Sequence, residues 1–250
     1  EVLRDASETA IYGSRGANGV IIITTKKGKI GKTNLGINIY TGQTTSTRTM
    51  EMMNTQEYLS MRREAFANAG ITPNLNPSSS GYAPELLAFD TTRFTDWQKF
   101  FLGGNANITN INLSLTGGSI NTQFLIGAGY VHETYIFPGD FANKRGSVNM
   151  NLRHRSTDNK FSLEFSANYS STINNSAGTP DLLKAFIMPP NYPSLFDENG
   201  NINWEYNGVQ LSGSLYTNPV GYLKRKYSGK TNNLISHLQF AYELFKGLRF

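Results

Sequence analysis

Alternation of apolar and polar residues dominates the chain, broken by long stretches without it. In Asn34 to Thr41, Leu35, Ile37 and Ile39 share one side while Asn34, Gly36 and Asn38 share the other, the period of two expected of a β-strand. The pattern returns with Ile111, Leu113 and Leu115 against Asn110, Asn112 and Ser114. It returns again with Phe124, Ile126, Ala128 and Tyr130, whose opposite side (Gln123, Leu125, Gly127, Gly129) is less polar. Val148, Met150 and Leu152 oppose Asn149, Asn151 and Arg153; Phe161, Leu163, Phe165, Ala167 and Tyr169 alternate with Ser162, Glu164, Ser166 and Asn168. Leu234, Leu238, Phe240 and Tyr242 stand opposite Ile235, His237, Gln239 and Glu243. Six strands of about ten residues are predicted, near the length that a tilted membrane strand needs.

The connections alternate too. Gly117 to Asn121, Ser156 to Lys160 and Lys246 to Leu248 are short; Gln43 to Asn105, Thr134 to Ala142 and Ser171 to Gly229 are longer. Short turns at one end and long loops at the other are the habit of outer-membrane barrels. A soluble sandwich has no reason to put every long loop at one end.

The polar sides of the strands sharpen the distinction. The outside of a soluble sheet usually carries many Lys and Glu, whereas here it is chiefly Asn, Ser, Gln and Gly, as a wet lumen requires. Charged residues make up only 16% of the chain and aromatics 12%, against a typical charged share of about 25%. Tyr40, Tyr130, Tyr169 and Tyr242 lie towards strand ends, where aromatic girdles sit. The longest wholly aliphatic run is Val20 to Ile23, far short of a transmembrane helix, so a spanning chain must be a closed barrel. The absence of cysteine excludes disulfides and thiolate metal sites. The net charge of +5 is spread along the chain rather than gathered into a nucleic-acid stripe. The fold class expected is therefore all-β, the N-terminal part of a large antiparallel transmembrane barrel. The chain begins inside an element at Glu1 and stops at Phe250 as alternation restarts, and it reads as a piece of a longer protein.

The glycine-spaced segment "AIYGSRGANGVIIITTKKGK", Ala10 to Lys29, invites a phosphate-loop reading. The spacing is Gly-x-x-Gly-x-x-Gly, a strand follows instead of a helix, and no Gly-Lys-Ser or Gly-Lys-Thr closes it, so the order a nucleotide fingerprint needs is missing. A shaping role fits better. Asp5 and Glu8 have capping-box spacing for a short helix over about Ala6 to Ile11. Gly13 would end it at positive φ, with Gly16 and Gly19 turning the chain into a strand at Val20 to Thr25.

Within the first long loop Asn54 to Ala69 reads as a helix, with Asn54 and Glu57 as capping box and Tyr58, Met61, Ala65 and Phe66 as an apolar stripe packing on the barrel. Met50, Met52, Met53 and Met61 admit soft-metal binding, but adaptable packing is the commoner use of Met. No catalytic constellation is visible, and no metal or cofactor is expected. His132, His154 and His237 lie on different strands without metal-ligand spacing. "DENGNIN", Asp197 to Asn203, has Gly misplaced for a calcium loop and lacks the closing Glu, so it reads as a turn around Asn199 and Gly200. The last long loop carries Tyr192, Phe196, Trp204, Tyr206, Tyr216 and Tyr222. Trp204, Tyr206 and Tyr216 are the candidate ligand-stacking aromatics; packing against other loops or a covering protein is the competing role.

The stretch "DASETAIYGSRGANGVIIITTKKGK", Asp5 to Lys29, closely resembles the end-of-plug signature of SusC/RagA-type TonB-dependent transporters of Bacteroidota outer membranes. Its structural core here is Tyr12, Gly13, Ser14, Arg15, Gly16, Ala17, Asn18 and Gly19; Glu8 and Ile22 depart from the family's usual residues. "MNTQEYLSMRREA", "TDWQKF", "NPVGYL" and the terminal "KGLRF" resemble the family more loosely, in its order. The resemblance implies a plugged barrel of about 22 strands in the cell outer membrane. It implies TonB-driven import of a nutrient such as an oligosaccharide or peptide, and a SusD-like lipoprotein lidding the mouth. Residues 1–32 would be the end of the plug with its linker, and 33–250 the first six or so barrel strands with their external loops. TonB would contact a segment outside this chain. Two rivals stand: a soluble carbohydrate-binding β-sandwich, and an outer-membrane enzyme or adhesin on a barrel without TonB dependence.

Overall fold

Every alternating segment forms a strand, and each runs beyond its predicted core. The computed structural model describes residues 2–3, 10–16, 18–22, 25–175, 181–212, 217–225 and 227–250. Strand β1 (Val2–Leu3) pairs antiparallel with β2 (Val20–Ile21) in a two-stranded sheet. The predicted strand to Thr25 is thus realised over Val20–Ile21, where β1 supplies a partner; positions 23 and 24 lie outside the described residues.

Next come β3 (Gly31–Thr44), helices α1 (Thr55–Ala69), α2 (Pro84–Leu87) and α3 (Trp97–Leu102), and strands β4 (Ala106–Gly118), β5 (Thr122–Thr134), β6 (Ala142–Arg155) and β7 (Phe161–Asn174). Helix α4 (Lys184–Ile187) and the small hairpin β8 (Glu205–Tyr206) and β9 (Val209–Gln210) sit in the last long loop, before β10 (Gly229–Phe245) and β11 (Leu248–Arg249). The large sheet has seven strands in the order β11-β10-β7-β6-β5-β4-β3, each antiparallel to its chain neighbour. It is a single-layer meander. Among the described residues the other two sheets have only two strands each, whereas the sandwich alternative calls for a second large sheet.

The register sorts side chains into rows. One row runs Ile37, Leu113, Ala128, Val148, Tyr169, Leu234, and the next Leu35, Leu115, Ile126, Met150, Ala167, Ser236. On the reverse side run Asn38, Asn112, Gly129, Ser147, Ser170, Asn233 and then Gly36, Ser114, Gly127, Asn149, Asn168, Ile235. The apolar side is not a core: Ile37 is 61% exposed, Leu234 66% and Phe240 66%. Rows this large and greasy are tolerated on a folded surface only where something other than water covers them, and in a barrel wall that cover is lipid. Tyr130, Tyr169 and Tyr242 are on this side, Tyr130 nearer the long-loop end and Tyr242 nearer the short-turn end. Tyr40 is not; it pairs with Asn110 on the polar side, because it falls one residue out of phase with Ile37 and Ile39.

The short turns are held by local side-chain acceptors. Ser119 Oγ accepts from Asn121 N and Thr122 N, and Asp158 Oδ1 accepts from Ser156 Oγ and Lys160 N. These bonds hold Asp158 below the usual carboxylate range.

If the apolar side meets hydrocarbon, Leu113→Arg lowers unfolding stability of the full-length protein by about 2–4 kcal/mol. Asn233→Ser on the reverse side changes it by less than about 0.5 kcal/mol. Guanidinium titration in lipid vesicles measures both, and equal effects on the two sides would refute the assignment of faces.

Candidate functional site

The buried core cluster takes no residue from the large sheet and lies instead in the long loops. Phe89, Trp97 and Phe101 from the loop before β4 pack with Ala185, Met188, Tyr192, Leu195, Ile202, Val209, Leu211, Val220 and Tyr222 from the loop before β10. Trp97 meets Tyr192 edge-on at 6.0 Å between centroids, and Phe89 meets Tyr192 at 5.6 Å. Polar bonds tie the same loops. Trp97 Nε1 donates to Pro189 O at 2.8 Å, Thr95 N to Pro190 O at 2.8 Å, and Asn191 Nδ2 to Glu85 O at 2.9 Å. The third loop, between β5 and β6, joins through Tyr222 Oη, which donates to Pro138 O at 2.6 Å. Asn218 is fully buried: its amide donates to Leu195 O and Asn203 O while its oxygen accepts from Val220 N, capping the 3-10 turn Pro219–Lys224. All three long connections thus form one lobe over one end of the wall.

Helix α1 begins at the expected capping box, Asn54 Oδ1 accepting from Gln56 N and Glu57 N while Glu57 accepts from Asn54 N. Its stripe differs from expectation. Thr55, Leu59 and Phe66 are buried, whereas Met61 and Ala65 are exposed. The helix rests on the Pro84–Arg93 segment rather than on the strands: Thr55 Oγ1 donates to Arg93 O, and Arg62 Nε and Nη2 reach the wholly buried Glu85 Oε1 at 2.8 and 2.7 Å. A polar pin, which hydrophobic periodicity does not register, sets the rotation of the helix. Met50, Met52, Met53 and Met61 are correspondingly not packed away; they line a cavity of about 430 Å³ with Met188, Phe94 and Trp97. The cavity wall is held in place by Gln98, whose amide donates to Met50 O at 2.7 Å and accepts from Met50 N at 2.8 Å.

At the short-turn end the polar face carries an ion cluster. Arg153 Nε and Nη2 reach Glu164 Oε1 at 2.8 and 2.7 Å, and Lys27 Nζ lies 3.5 Å from Glu164 Oε2. Lys27 belongs to the segment before β3, so that segment crosses the polar face. Gly28 permits the crossing, since a Cβ there would lie 2.5 Å from the Phe124 backbone nitrogen.

In the glycine segment a 3-10 helix runs over Ala10–Gly16 with Gly13 at φ 61, ψ −152, so the chain kinks at the expected glycine. Gly19, at φ 95, leaves room where an added Cβ would stand 3.1 Å from Leu3 O, and its N–H closes a turn on Gly16 O at 2.9 Å. Among the described residues strand β2 follows the glycines, not a phosphate-binding helix. The Asp5 and Glu8 capping box, the start of the expected helix at Ala6, and Ala17 lie outside the described residues. Tyr12, Ser14 and Asn18 are exposed, and Gly16 is buried.

No protein-family model matches the chain. TonB-dependent receptor P26 of Formosa agariphila is 32% identical over 226 residues, covering 88% of this chain and 21% of that protein. TonB-dependent receptor SusC of Bacteroides thetaiotaomicron is 34% identical over 151 residues, 60% of this chain and 13% of that protein. The RagAB peptide importer in its closed-closed state superposes with a TM-score of 0.69 over 99% of this chain and 30% of its own, at 22% identity, which shows the same fold. The chain belongs to the SusC/RagA-type TonB-dependent receptors. It spans about a fifth of the length of the P26 receptor it matches.

Within this receptor segment the predicted stacking aromatics separate. Trp204 is 43% exposed, and its ring lies beside Gly221. Tyr206 is half-buried, edge-on to Phe89 at 6.2 Å. Tyr216 lies outside the described residues. Tyr192 and Tyr222, equally aromatic in sequence, are core members of the lobe. Asp197 Oδ1 accepts from Asn199 N and Asn201 N, forming the expected turn rather than an ion loop. Among the described residues no group of three potential metal ligands assembles; His154 Nδ1 instead meets Thr122 Oγ1 at 2.8 Å.

The receptor's lobe is expected to depend on the Arg62–Glu85 pin. Glu85→Ala leaves Arg62 without its carboxylate and lowers local stability by about 3 kcal/mol. Hydrogen exchange then shows lost protection in Thr55–Ala69 with β4 to β7 unchanged. Unchanged exchange in α1 would show the pin to be dispensable.

Proposed function

We propose that residues 1–32 are the end of a plug and its linker, and residues 33–250 the opening wall of an outer-membrane barrel. The complete protein imports a nutrient with energy delivered through TonB. The observation that carries this reading is the single-layer sheet with two unlike faces, the apolar one exposed, and its long loops all gathered at one end. A wall of six long strands cannot close alone; barrels of this class have about 22. Lys27, Gly28 and Glu164 support the division near residue 32, since they hold the linker against the lumen face just before β3 begins.

The solute is an oligosaccharide or a peptide, too large for a porin. Rows of amide and hydroxyl groups across β3 to β10 offer a sequence of exchangeable hydrogen bonds. Fixed charges, which would trap a solute, concentrate instead at the short-turn end. The exposed indole of Trp204 offers a face on which a sugar ring can stack. A SusD-like surface lipoprotein covers the lobe, and TonB engages a segment outside this chain. The protein acts by transport, not catalysis.

Growth of the native host on candidate oligosaccharides and peptides, with the gene or TonB deleted, tests the reading. Growth on the transported nutrient is lost in both deletions, and the full-length protein co-purifies from outer membranes with the lipoprotein. Growth that survives loss of TonB would overturn it. Trp204→Ala weakens binding of a transported glycan by up to about tenfold.

A further inference from the structure

The methionine-lined cavity has a neighbour. A second compartment, of about 210 Å³, shares Tyr58, Ile187 and Met188 with it and is otherwise lined by polar and aromatic groups including Arg62, Lys184 and Tyr82. The two differ in character. The larger is walled by five thioethers with Phe94, Trp97 and Phe186, and its carboxylates, Glu51 and Asp96, are exposed residues. The smaller holds two cations, of which Arg62 is matched by Glu85; among the described residues no carboxylate lies within ion-pair distance of Lys184.

We propose that this double cavity binds an amphiphilic organic anion, its apolar part among the methionines and its acidic group at Lys184. The volume of the larger compartment falls within the range of small-molecule pockets, about 300–1,000 Å³. Its lining stays accessible: Met52 is 43% exposed, Met53 46%, Met61 43% and Ile187 55%. Unbranched thioether chains adapt to an aromatic or branched guest and offer it polarisable contacts. The wall is nevertheless fixed, because Gln98 clamps the Met50 backbone from both sides. At the polar end the Tyr58 hydroxyl is a neutral donor, burial and Glu85 having pushed it up to about 12. The ammonium of Lys184 supplies the charge that a carboxylate, sulfate or phosphate head would meet. The site lies in the lobe, and the inference does not depend on which solute the barrel carries.

The test uses the full-length protein in lipid nanodiscs with methyl-labelled methionine and three soluble probes of one shape: 4-phenylbutyrate, 4-phenyl-1-butanol and 4-phenylbutylamine. The carboxylate is expected to shift the Met53 and Met188 methyl resonances saturably and most tightly of the three. Lys184→Gln should weaken it by about tenfold and leave the alcohol unchanged. Met61→Gln should weaken both, while Met61→Leu, which keeps the apolar wall, retains binding and controls for folding. The proposal is overturned by absence of saturable shifts, which means other loops of the whole protein fill the cavity. Tighter binding of the amine, or shifts indifferent to both Met61→Gln and Lys184→Gln, overturns it as well.

Discussion

A bilayer interior offers no water to backbone amides, so a sheet can cross it only if every N–H and C=O finds a partner along the wall. Most of the architecture follows from that constraint. The strands are 13 to 17 residues long and paired without interruption from β4 to β10, longer than the 9–11 or so that hydrocarbon demands. Such a wall is one residue thick. It can be apolar towards lipid and polar towards the channel, but it has no interior in which to bury a tryptophan.

The hydrophobic core therefore moves to where two layers can meet, the long loops beyond the membrane. There Trp97, Phe101, Tyr192 and Leu211 reach the burial expected of a globular domain, while the strands leave their leucines bare. The lobe is stapled by side-chain amides rather than by sheet: Asn218, Asn191 and Gln98 each bridge backbone from another part of the loops. Asn218 and Gln98, whose amides are bonded at both oxygen and nitrogen, fix one arrangement among many that a merely greasy contact would permit.

This division explains what the residue pattern discloses. The strands are legible because lipid on one face and water on the other impose a strict period of two, and the turns because Gly117 to Asn121 and Ser156 to Lys160 are short breaks in that period. The helix Thr55–Ala69 is legible through Asn54 and Glu57, a local signal. Its buried stripe is not, since Arg62 on Glu85 decides the rotation and the two are 23 residues apart. The lobe's core is the least legible, because its halves lie about a hundred residues apart and neither carries a period. Nothing in the spacing distinguishes Tyr192, sealed inside, from Trp204, left at the surface. The two cavities escape for the same reason: Met50, Met52, Met53 and Met61 come from the first long loop, but Met188 and Lys184 arrive from the last.

The shared interior of the three loops has a bearing on how such proteins diversify. Exchanging any one connection between relatives would leave the other two facing strange partners, so Trp97, Tyr192 and Tyr222 must change in concert or not at all. Innovation at the mouth is thereby confined to residues on the lobe's outer skin, which can be rewritten singly without disturbing the scaffold beneath them.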